Sequence, residues 1–164
     1  MKRLFSPWRM KYIQNAKNQN DQGCIFCNAL NNSDELIVFR GKYAFAILNL
    51  FPYTSGHLMV APIEHKSGLD ELSPQARAEM MELVSQCVVV LKKVYQPDAF
   101  NMGANIGEAA GAGVPGHVHL HVVPRWAGDT NFMSAVGNVR VLPESIEETS
   151  KRVRSAWQEI YPSL

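Results

Sequence analysis

The chain has 164 residues, 46% of them hydrophobic, enough to bury one full core, so a single domain is expected. Its 16 basic and 15 acidic residues nearly cancel to a formal charge of +1, so no bulk field points to nucleic acid or a membrane surface. No apolar run reaches membrane-span length, the start Met1-Lys2-Arg3-Leu4-Phe5-Ser6-Pro7 lacks an apolar leader core, and three cysteines make a poor disulfide framework, so a cytoplasmic protein is expected.

Residues 14–23 are polar and rich in Asn and Gln, which reads as a loop closing an N-terminal extension over 1–23. Cys24-Ile25-Phe26-Cys27 follows; alone, such a pair suits a metal, a redox motif or two packed thiols. Leu36 to Phe39 and Tyr43 to Leu48, parted by Arg40-Gly41-Lys42, read as a β-hairpin. A third strand runs from Gly56 to Ile63, entered through the turn Pro52-Tyr53-Thr54-Ser55-Gly56.

Ser73 is a good N-cap with Pro74 at the first helical position, and Ala76, Met80, Leu83, Cys87 and Leu91 keep helical spacing until Pro97. Cys87 lies on the apolar face and reads as core. A strand over Ala99 to Asn105, the glycine-rich Gly107 to Gly116 and a histidine strand complete a core over 24–125. In the C-terminal segment, 126–164, Ser145 and Glu148 form a capping box, and Ile146, Val153, Trp157 and Ile160 mark one face of a closing helix. The pattern predicts an α+β fold: an antiparallel sheet of about five strands, one long central helix and a C-terminal helix.

The chemistry concentrates in His117-Val118-His119-Leu120-His121. Strand alternation puts the three imidazoles on one side and Val118, Leu120 and Val122 on the other. The remaining histidines, His57 and His65, bracket the apolar run Leu58 to Ile63. Three readings compete: incidental histidines on a solvent face, a metal site, or an imidazole that attacks an electrophile. The glycine-rich loop favours the last. Small residues let backbone N–H groups approach an oxyanion closely, and here the loop runs straight into the first histidine. Neutral imidazole can attack phosphorus through one nitrogen while the other donates to a fixed acceptor.

The run from His117 to Val123 resembles the signature of the histidine triad superfamily of nucleotide hydrolases and transferases, His-φ-His-φ-His-φ-φ. The segment Asn49-Leu50-Phe51-Pro52-Tyr53-Thr54-Ser55-Gly56-His57 is similar to that superfamily's first nucleotide-contacting stretch. Pro7-Trp8-Arg9 together with Pro124-Arg125-Trp126-Ala127-Gly128-Asp129-Thr130-Asn131-Phe132-Met133 resembles a bacterial branch that includes diadenosine tetraphosphate phosphorylases.

The resemblance implies a fold of that type and cleavage of dinucleoside polyphosphates at the α-phosphate, by phosphorolysis or hydrolysis. His119 would be the nucleophile, oriented by the His117 carbonyl, with His121 and His57 hydrogen-bonding around the phosphate. Asn49 falls where the family binds ribose, and Asn105 where an amide side chain meets phosphate. Gly111-Ala112-Gly113-Val114 stands where fragile histidine triad hydrolases carry Gly-Gln-Thr or Gly-Gln-Ser, so backbone amides near Gly111 and Gly113 must replace those contacts. Leu48 and Ile25 or Phe26 would border the base. Trp126 with Arg125 would cap a base or meet the far phosphates, or Trp126 would pack at a dimer or domain edge.

The resemblance also implies a structural zinc held by Cys24, Cys27, His65 and His117, Mg²⁺ at most accompanying the substrate, and a homodimer paired through the long helix and its neighbouring strand. A nucleoside phosphoramidase, or a zinc-stabilised nucleotide-binding module with incidental turnover, are the alternative readings.

Overall fold

Strand alternation sorts the core into two layers, one on each side of a single sheet. The structure, a computed structural model, describes residues 23–32, 35–129 and 144–162. Five strands, β1 (Ile37–Arg40), β2 (Ala44–Leu48), β3 (Leu58–Pro62), β4 (Ala99–Gly103) and β5 (Leu120–Arg125), pair antiparallel in the order β1-β2-β3-β5-β4. Ala44, Ala46 and Leu48 of β2, Leu58 and Val60 of β3 and Val122 of β5 face one way. They bury the apolar stripes of α2 (Pro74–Tyr95) and α3 (Ile146–Ile160). Phe45 and Ile47 of β2 with Met59 and Ala61 of β3 face the other way, against α1 (Ile25–Asn32).

Local chemistry sets the helix ends. The Ser73 hydroxyl accepts the Ala76 N–H at 3.1 Å, Pro74 opens α2, and Gln96 breaks it in the left-handed region (φ 48°) just before Pro97. Ser145 accepts the Glu148 N–H at 3.3 Å to start α3. The long central helix, the C-terminal helix and the five strands stand where the sequence places them, with strand ends displaced by a residue or two except in the histidine strand.

Two features differ from expectation. The Cys-x-x-Cys segment is helical: Phe26, Ala29 and Leu30, at i, i+3 and i+4, are buried against the sheet. An eight-residue helix is marginal alone. Burying Phe26 and Leu30 contributes roughly 3–6 kcal/mol before conformational entropy is charged, so packing rather than propensity holds it. Secondly, β5 begins only at Leu120, so His117 and His119 precede the ladder. Pro62 offers β5 no N–H, and the His117 ring takes the Pro62 carbonyl instead at 2.9 Å. Pro7-Trp8-Arg9, the 14–22 loop and Thr130-Asn131-Phe132-Met133 lie outside the described residues.

Candidate active site and metal cluster

Val118 and Val122 point into the helix-packed layer, so the alternating histidines emerge on the opposite face, beside α1. The His119 Nδ1 lies 2.9 Å from the carbonyl oxygen of His117. A carbonyl only accepts, which assigns the proton to Nδ1 and leaves Nε2 with a lone pair. His119 is nearly buried, with Phe26 at a ring separation of 4.9 Å. Burial draws its pKa below the ordinary 6.5, although the His117 carbonyl pulls the other way, so the ring is neutral near pH 7. The arrangement presents a neutral imidazole nitrogen able to attack an electrophile.

His57 and His121 form a second unit. His57 is fully buried at the entry to β3, and its Nδ1 accepts the Tyr53 N–H at 3.1 Å, with the Asn49 amide nitrogen 3.4 Å away. Its proton therefore sits on Nε2, which lies 2.9 Å from His121 Nδ1. That bond in turn puts the His121 proton on Nε2. One backbone amide thus fixes the tautomers of two histidines. His119 and His121 meet edge to face, with ring centroids 4.9 Å apart.

At the other end of the triplet, Cys24, Cys27, His65 and His117 converge, their four ligand atoms all within 4.8 Å of one another. His117 Nδ1 lies 3.3 Å from Cys24 Sγ and 3.8 Å from Cys27 Sγ, and His65 Nδ1 lies 3.4 Å from Cys27 Sγ. Tetrahedral zinc with thiolate and imidazole ligands has edges of about 3.5 Å, so these spacings fit it. The Pro62 carbonyl fixes the His117 proton on Nε2, freeing Nδ1 to ligate. Burial and the neighbouring Cys24 push the Cys27 thiol up, as two adjacent thiols without a cation require.

The other sequence-derived residues divide. Gly111 takes φ +85° to close a turn, and its own N–H bonds the Glu108 carbonyl at 2.9 Å. The amides of Ala110 and Ala112 are likewise spent on Gly107. Those of Gly113 and Val114 take no part in these turns. Asn105 reaches across the loop to the Gly111 carbonyl at 3.4 Å. Asn49 accepts the Phe51 N–H at 2.9 Å, so it shapes the turn that carries Tyr53.

Leu48, Trp126 and Arg125 each have partners within the protein. Leu48 is buried in the helix-packed layer, so Phe26 and not Leu48 borders the histidines. Trp126 donates from its indole to the Tyr95 carbonyl at 3.4 Å, at the C-terminal end of α2. Arg125 grips Asp129 through two nitrogens and Asn101 through a third, which ties the exit of β5 to β4.

A family model described as the HIT domain matches residues 31–128. The chain belongs to the histidine triad family of nucleotidyl hydrolases and transferases. It is 37% identical over 165 residues to an AP-4-A phosphorylase of Mycobacterium tuberculosis (strain H37Rv), covering 96% of this chain and 85% of that protein. A bis(5'-nucleosyl)-tetraphosphatase [asymmetrical] of Schizosaccharomyces pombe is 34% identical over 93 residues, 57% of this chain and 50% of that one. Among solved structures, a Zn-bound histidine triad family protein from Mycobacterium smegmatis superposes with a TM-score of 0.70 at 28% identity, over 88% of this chain and all of that one.

Within this histidine triad fold, sequence reasoning passed over Tyr53, whose ring lies 4.6 Å from that of His57 and 5.9 Å from that of His121. Its position two residues before the Ser55-Gly56-His57 turn end was the signal. Among the described residues no helix is long and apolar enough to cross a membrane.

Proposed function

We propose that the chain, taken as a single domain, cleaves dinucleoside polyphosphates of the diadenosine tetraphosphate type at the α-phosphorus and passes the nucleotidyl group to inorganic phosphate. The observation that carries this is the His119 ring, held through Nδ1–H by the His117 carbonyl so that Nε2 is the reactive nitrogen. Phosphorolysis is the branch supported by the likeness to an AP-4-A phosphorylase along nearly the whole chain.

In this reading His119 Nε2 attacks the α-phosphorus, the bond to the bridging oxygen breaks, and ATP leaves from diadenosine tetraphosphate. Phosphate then displaces the imidazole from the adenylyl-histidine, giving ADP and regenerating His119. His121 donates its Nε2–H to a phosphate oxygen, with the Gly113 and Val114 amides adding donors. His57 is fully buried and spends its Nε2–H on His121, so it acts as a positioning residue rather than touching phosphate. Asn49 and Asn105 shape the two loops that flank the substrate, and Trp126 buttresses the domain edge.

Zinc on Cys24, Cys27, His65 and His117 pins α1 to the histidine segment and supplies no chemistry beyond structure. Mg²⁺ arrives only with the polyphosphate. A second copy pairs through α2 and β4. The test is product analysis of diadenosine tetraphosphate turnover. ADP plus ATP formed only with phosphate present supports the proposal; AMP plus ATP without phosphate makes the enzyme a hydrolase. No cleavage under either condition transfers the case to the phosphoramidase or the nucleotide-binding module.

A further inference from the structure

We propose that Tyr53 is a positioning residue of this site, acting through His121: its ring lies across the His57–His121 pair and holds the His121 imidazole with Nε2–H turned toward the substrate phosphate. The proposal rests on the phosphate-facing role given to His121 above.

Tyr53 touches both partners of the pair. Its ring centroid is 4.6 Å from that of His57 and 5.9 Å from that of His121, and it lies only 29° from parallel with the latter. Tyr53 is 40% exposed while His57 is 0% exposed and His121 is half-buried, so the phenol ring lies on the solvent side of His57. His121 is restrained edge to face by His119 and through Nδ1 by His57. Tyr53 adds a stacked contact to these restraints. A hydrogen bond between two neutral imidazoles is worth little where water competes for either nitrogen. A ring laid over it removes that competition and resists rotation of His121 about its Cβ–Cγ bond.

The turn holds the ring in place. The Tyr53 N–H bonds His57 Nδ1, and the Thr54 hydroxyl donates to the Pro124 carbonyl at 2.9 Å, tying the turn to β5, the strand that carries His121. One residue therefore sets the tautomer of the pair through its backbone and its orientation through its side chain. The backbone contribution survives any substitution other than proline, so side-chain variants isolate the ring.

The experiment compares Tyr53→Phe, Tyr53→Leu and Tyr53→Ala by kcat and KM on diadenosine tetraphosphate, and by the NMR signal of the His57–His121 bridging N–H in histidine-labelled protein. Tyr53→Phe keeps the ring and should stay within about twofold of wild type in both constants. Tyr53→Leu and Tyr53→Ala should lose about tenfold in kcat with KM nearly unchanged, the most a ring contact of this kind supplies. Their bridging proton should broaden through exchange with water. A raised KM at unchanged kcat would make Tyr53 a substrate contact and overturn the proposal. So would a bridging proton as protected in Tyr53→Ala as in wild type. The NMR readout needs no turnover, so failure of this inference is separable from failure of the proposed reaction.

Discussion

The main-chain carbonyl of His117 accepts the Nδ1–H of His119 at 2.9 Å, while the His117 ring turns its own Nδ1 to within 3.3 Å of Cys24 Sγ. One residue thus joins the cysteine cluster to the imidazole that carries the proposed reaction. Its ring serves the cluster and its backbone serves His119. His119→Ala is expected to lower turnover of diadenosine tetraphosphate by at least about a thousandfold, because covalent catalysis is lost outright. Nucleotide affinity, measured by calorimetry with a non-cleavable analogue, should change by less than about threefold. A variant that still cleaves at the wild-type rate sinks the covalent route.

Through the same link, zinc held by the cluster would be coupled to the fold. Freshly purified protein should contain one zinc per chain by elemental analysis, and Cys27→Ala should contain none. Free zinc at about a thousand times its dissociation constant adds roughly 4 kcal/mol to the folded state. Chelation is then expected to lower the melting temperature by roughly 10 °C for a chain of this size. Protein free of zinc that melts at the same temperature with and without chelator would refute the site.

How legible all this was depended on the kind of signal. His117-Val118-His119-Leu120-His121 declares itself because period-two alternation survives even where the ladder has not begun. Ser73-Pro74 and Ser145 mark helix starts by local chemistry alone. The helix Ile25–Asn32 was hidden because eight residues carry too little periodicity, and its burial depends on Phe45 and Met59, distant in sequence. Leu48 misled for a related reason: alternation gives two faces without saying which one a helix covers. The burial of His57 behind Tyr53 was unreadable, since it depends on a turn clamped to Pro124. Gly111 looked like a phosphate donor, but loop composition does not reveal which amides the loop spends on itself.

Acid stability should depend on Glu144, ahead of α3. Partial burial raises its carboxyl, but hydrogen bonds from the Tyr95 hydroxyl, Arg152 and Thr149 outweigh this and hold it below its ordinary 4.5. Tyr95, buried and facing Glu144, is pushed up to about 12. A carboxyl lowered by folding gives its full stabilisation above the unfolded value and loses it as pH falls through the folded one. Glu144→Gln should therefore be less stable by about 1–2 kcal/mol near pH 7, by urea unfolding. The two proteins should converge below pH 4.5. A gap that stays constant down to acid pH would assign the loss to packing instead.

Association through α2 and β4 is the last expectation, and the exposed surface argues for it. Among the described residues β4 pairs with β5 along one side only, and Met102 on it is 60% exposed. Met81 and Val89 on α2 are 58% and 46% exposed. A strand edge that is open among the described residues invites pairing with a like edge, and a two-fold dimer through β4 uses the same edge of both copies, leaving β1 as the outer strand on each side. Sedimentation should give a species near twice 18.3 kDa. Met102→Arg places a charge in the seam and should weaken association by at least about a hundredfold. His119 lies on the far side of the sheet from α2, so its bond to the His117 carbonyl should be unchanged in that variant. A wild-type chain that sediments as a monomer at tens of micromolar would reject the pairing, whatever Met102→Arg does.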